Sequence, residues 1–110
     1  MSINVKALRA TMDQVGRAAK LYGVPGAWVQ CSWRCDTGMC FAGHGVSVAG
    51  FGWMIPKDKT ESCRFAMRDS YGLTQGEADD LFDPYNSLDD LRQMVAAIEV
   101  IAAMDQEAIL

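Results

Sequence analysis

The feature that constrains the fold most is the run at 88–108. Leu88, Leu91, Val95, Ile98 and Ala102 recur at spacings of three and four, and Met94, Ile101, Met104 and Ala108 form a second, adjacent stripe. Residues at those spacings share one side of an α-helix. Between Met94 and Met104 the only charged residue is Glu99. A helix apolar over so much of its circumference is either central to a fold or half of an interface. Met94, Ile98, Ile101, Met104 and Ala108 are therefore the candidate interface residues. Asn86 or Ser87 caps the start of this helix, and Asp89 and Asp90 suit the positive end of its dipole.

A second periodic segment opens the chain. Val5, Leu8, Met12, Val15, Ala19 and Tyr22 form one apolar stripe, Asn4 caps it, and Gly23 followed by Pro25 ends it. Lys6, Arg9, Asp13, Arg17 and Lys20 mostly occupy the other side. Residues 24–37 show no helical period, so they read as an extended loop anchored on the core by Trp28 and Trp33. The small apolar stretch 38–50 reads as a helix capped by Asp36 or Thr37 and ended by Gly50 or Gly52. Gly43, Ser47 and Gly50 leave one side of it shallow, where another helix can approach closely. A turn around Pro56 follows. Ser62 then caps a helix that carries Phe65, Ala66 and Met67 and stops at Gly72. Thr74 and Glu77 have capping-box spacing and open a short helix to Phe82, halted at Asp83-Pro84. The expected fold is a single domain spanning 1–110, mostly α, a compact orthogonal bundle of four to five helices with an extended loop around 24–37.

Charge excludes some partners. The 110 residues carry a net charge of −4, which argues against non-specific binding to nucleic acid or anionic membranes. Six carboxylates and no basic residue lie between Glu77 and Asp90, but the calcium-loop pattern is absent, so capping and a solvated face account for them. Gly38–Ile55 has no formal charge, yet its glycines and His44 make it too weakly apolar to be read as a membrane span. With no export signal visible at the start, a cytoplasmic location with reduced thiols is expected.

Residues 31–45 hold three of the four cysteines and the only histidine. Cys35, Cys40 and His44 are the candidate zinc ligands, with Cys31 or Cys63 as a possible fourth, because zinc favours thiolate and imidazole donors. On a helix over 38–50, Cys40 and His44 would share one face. A Cys35–Cys40 redox pair lacks Cys-x-x-Cys spacing, and Cys/His catalysis lacks a visible pocket or oxyanion donors. The plainer reading makes Cys40 a small buried hydrophobe and His44 a hydrogen-bonded structural residue, so no resident cofactor is expected, with zinc as the alternative. A third pattern, Arg68 followed by "GLTQ" and "EA", resembles the opening of helix-turn-helix repressors. The helix that would then read DNA opens with Asp89 and Asp90, whose charge opposes phosphate.

Several motifs occur in a recognisable order. Trp28, Gln30 and Trp33 make W-x-Q-x-x-W, Cys35 to His44 read C-D-T-x-x-C-F-A-G-H, and Val48 to Gly50 read V-A-G. Gly72 to Phe82 read G-L-T-x-x-E-A-D-D-L-F, and Asn86 to Arg92 read N-S-L-D-D-L-R. This order resembles a group of small proteins from actinobacteria and their phages, mycobacteriophages especially, over about residues 28–98. Asp36 stands where that pattern has glycine, and Cys31 is an addition to it. The group carries no assigned activity, so the resemblance implies origin and fold rather than mechanism. The expected function is non-enzymatic: binding a bacterial host protein, or a second copy of the chain. The alternatives are a zinc-stabilised module on Cys35, Cys40 and His44, and an acidic helix-turn-helix-like regulator.

Overall fold

A computed structural model describes residues 3–24, 26–30, 34–35, 38–50 and 60–109, with the backbone alone at 34–35, 38, 60–63 and 105–109. Five helices dominate: α1 (Val5–Ala18), α2 (Phe41–Ala49), α3 (Thr60–Tyr71), α4 (Gln75–Leu81) and α5 (Leu88–Ile109). The expectation of a mostly α bundle of four to five helices holds. Within 24–37 and just beyond it, β1 (Arg34–Cys35) pairs antiparallel with β2 (Gly38–Met39), and Trp28 forms a parallel bridge to Met39.

The helix ends follow side-chain chemistry that the sequence announces. The Asn4 side chain accepts from the Ala7 amide at 3.1 Å. Thr74 Oγ1 accepts from the Glu77 amide at 3.2 Å while Glu77 Oε1 accepts from the Thr74 amide at 2.9 Å, completing the capping box. Ser87 and Asp90 repeat this reciprocity at the start of α5, at 3.1 and 2.9 Å. Asn86 caps something else: its Nδ2 donates to the carbonyls of Asp80 and Leu81, at the end of α4. Gly50 and Gly72 end α2 and α3 with φ of 82° and 71°, a left-handed conformation that favours glycine.

Three expectations are corrected. α1 stops at Ala18, whose carbonyl accepts from the amides of Leu21 and Trp28; Tyr22 therefore leaves the stripe and is 87% exposed. The buried stripe of α1 runs through Leu8, Thr11, Val15 and Ala18, with Met12 and Ala19 only half-buried. α2 begins after Cys40 rather than at 38, because Gly38 and Met39 are held in β2. α3 begins at Thr60, ahead of the expected cap at Ser62. The turn around Pro56 and the side chain of Trp33 lie outside the described residues.

The core forms where α1, α2 and α3 meet, closed by α4 and the first half of α5. Phe41, Tyr71 and Phe82 form a three-ring cluster with centroids 6.0–6.5 Å apart. Leu8, Val15, Met67, Leu81, Leu91 and Val95 pack around it. Gly45 lets α2 approach α3, since a Cβ there would collide with the Tyr71 hydroxyl. This corrects the side read from the sequence: Ser47 and Gly50 are exposed, and the close approach falls at Gly45, on nearly the opposite side of α2 from Gly43, Ser47 and Gly50. No helix among the described residues is long and apolar enough to cross a membrane, and α2, within the uncharged run at 38–55, has nine residues and ends at Gly50.

Candidate functional site

Two regions could carry function: the histidine cluster in the core and the outer side of α5. His44 lies one turn into α2 and is 1% exposed. Its Nε2 donates to the Ala27 carbonyl at 3.1 Å, and its Nδ1 accepts from Gln14 Nε2 at 2.8 Å, the assignment that satisfies both partners. Burial pulls its pKa below the ordinary histidine value, with the Ala27 carbonyl working the other way. Both ring nitrogens are thus engaged within the chain. A metal at this imidazole must displace Gln14 or Ala27.

Cys40 immediately precedes α2 and is buried. Burial pushes its thiol above the ordinary range, while the amides of Gly43 and Ala42 pull against that shift. A buried thiol held protonated is a poor nucleophile. The side chains of Cys31, Cys35 and Cys63 lie outside the described residues. Among the described residues no group of three or more His, Cys, Asp or Glu side chains is placed to hold a metal.

The motif glutamine has a role that spacing did not disclose. Gln30 is 7% exposed and uses its whole amide. Oε1 accepts from Trp28 Nε1 at 3.1 Å and from the Phe41 amide at 3.0 Å; Nε2 donates to the carbonyls of Leu81 at 3.3 Å and Asp83 at 3.0 Å. One side chain therefore fastens the loop, the start of α2 and the end of α4. Arg64 adds a bond to the Phe82 carbonyl at 3.3 Å. This chemistry is structural: every contact ends on the protein's own backbone or on Trp28.

A groove of about 290 Å³ lies between α1, α2 and α3, over Gly45, Thr11 and Tyr71. At its floor Thr11 Oγ1 and Tyr71 Oη are 2.6 Å apart, and Thr11 Oγ1 also donates to the Ala7 carbonyl at 2.9 Å.

On α5 the sequence-derived interface residues separate. Ile98 is 6% exposed and belongs to the core, and Met94 packs partly buried against it. These two face the chain's own interior because Leu91, Val95 and Ile98 mark the inner side of the helix. Ile101 and Met104 are 45% and 61% exposed, and the Ala108 side chain lies outside the described residues. On the side of α5 turned furthest from the core, stripe counting named only Met104. Val100 lies about 180° around the helix from Leu91 and is 59% exposed. Ala96, Ala97, Ala103 and Met104 flank it, all exposed. The signal was present in the sequence, as a stretch from Ala96 to Met104 with no charge opposite the core stripe.

α1 runs antiparallel beside α5. The Arg9 guanidinium donates to both Glu99 carboxylate oxygens, at 2.8 and 3.0 Å, and one helical repeat later a Cβ at Gly16 would lie 3.7 Å from Arg92. The Arg9 hydrogen bonds hold the Glu99 carboxyl below its usual range. In this register Val5 lies opposite Ala103, so α5 continues past the start of α1. Compared with known proteins, the chain matches no family model, no curated protein and no solved structure.

Proposed function

We propose that this protein is a small non-enzymatic interaction module, of the phage-encoded kind its motifs resemble, acting in the bacterial host cytoplasm by docking the outer side of α5 onto another polypeptide. One observation carries the reading: Ala96, Ala97, Val100, Ala103 and Met104 are exposed and apolar directly opposite the core-facing stripe. A helix side left to water is ordinarily polar, and an apolar one is ordinarily covered in the working state. An amphipathic helix laid on an apolar partner is a recurrent recognition mode with this spacing. The engaged nitrogens of His44 and the raised thiol of Cys40 support a structural role for the cluster at 40–44.

The test is the pair of substitutions Val100→Glu and Met104→Glu in one chain. The folded chain should keep its far-ultraviolet dichroism and its melting temperature. Association, measured by sedimentation of the pure protein and by capture from host lysate, should be lost. If the unaltered protein forms no complex in either setting, the docking reading fails. Stoichiometric zinc in the native protein would instead favour the module built on Cys35, Cys40 and His44, at the expense of one His44 hydrogen bond.

A further inference from the structure

We draw no further inference here: the strongest candidate, the open groove between α1, α2 and α3 walled by Ala7, Ala10, Val48, Ala49 and Met67, is an apolar surface bordered by the exposed Lys6, and nothing in the structure shows what covers it.

Discussion

α1 and α5 lie side by side and antiparallel, yet they distribute polarity in opposite ways. On α1 the exposed positions Lys6, Arg9, Asp13 and Arg17 are all charged, while the inner side carries two polar residues, Thr11 and Gln14, bonded to Tyr71 and His44. On α5 the inner side is Leu91, Val95 and Ile98, and the outer side from Ala96 to Met104 holds no charge. Directional bonds allow α1 a single position, because each buried polar atom needs its own partner. Apolar surface is indifferent to direction, so α5 can pack on two sides at once. One helix is specified wholly by its own chain; the other has area left over.

The sharpest way to break that contrast is to place a charge on each side of α5 in turn. Ile98→Asp buries an unpaired carboxylate and should cost at least ~3 kcal/mol, abolishing a cooperative melt followed by circular dichroism. Next in size is the polar inner side of α1. Thr11→Val removes a partner from the buried Tyr71 hydroxyl and should cost about 1–3 kcal/mol in urea unfolding, with the denaturant slope unchanged.

A smaller effect comes from acid. His44 has its pKa lowered in the fold, so the unfolded chain takes up a proton at a higher pH than the folded chain does. Its contribution is complete above about pH 6.5 and is lost as pH falls below that toward the depressed folded value. Hydrogen exchange should then quicken in α1 and α2 before the first half of α5, and a His44→Gln variant should lack that pH slope. An equal response in all three helices would erase the contrast. Smallest is Val100→Asp, two residues from Ile98, which should leave monomer stability within about 0.5 kcal/mol. Arg9→Gln should give a minor loss that vanishes at high salt, since this pair is open to solvent.

Local chemistry was legible in the sequence because it is short-ranged. The caps at Asn4 and Thr74, the glycines ending α2 and α3, and the inner stripe of α5 all depend on neighbours within four residues. What escaped depends on distant partners. The end of α1 is set by the Ala18 carbonyl meeting Trp28, so periodicity carried the stripe too far, to Tyr22. Asn86 and Ser87 were equal candidates to cap α5 until Asp80 and Leu81 took Asn86 for the end of α4. At 31–45 composition suggested metal chemistry. The plainer reading, a hydrogen-bonded structural histidine, named no partner: the imidazole is bonded to Gln14, thirty residues away, which no local pattern could indicate. Of the interface candidates Ile98 is buried in the core and Met94 partly so, while Ile101 and Met104 are exposed, since stripe counting records where apolar residues lie and not which of them already have neighbours.

Gln30 bears on the order of events when the chain folds. Its amide bonds to Leu81 and Asp83 close loops of 51 and 53 residues, while its bonds to Trp28 and Phe41 span 2 and 11. Long closures carry a greater entropic cost, so the link to the end of α4 belongs to the late, native side of the barrier. Replacing Gln30 should therefore leave the refolding rate nearly unchanged and speed unfolding. The glutamine acts as a latch, governing how long the folded molecule persists rather than how quickly it is reached.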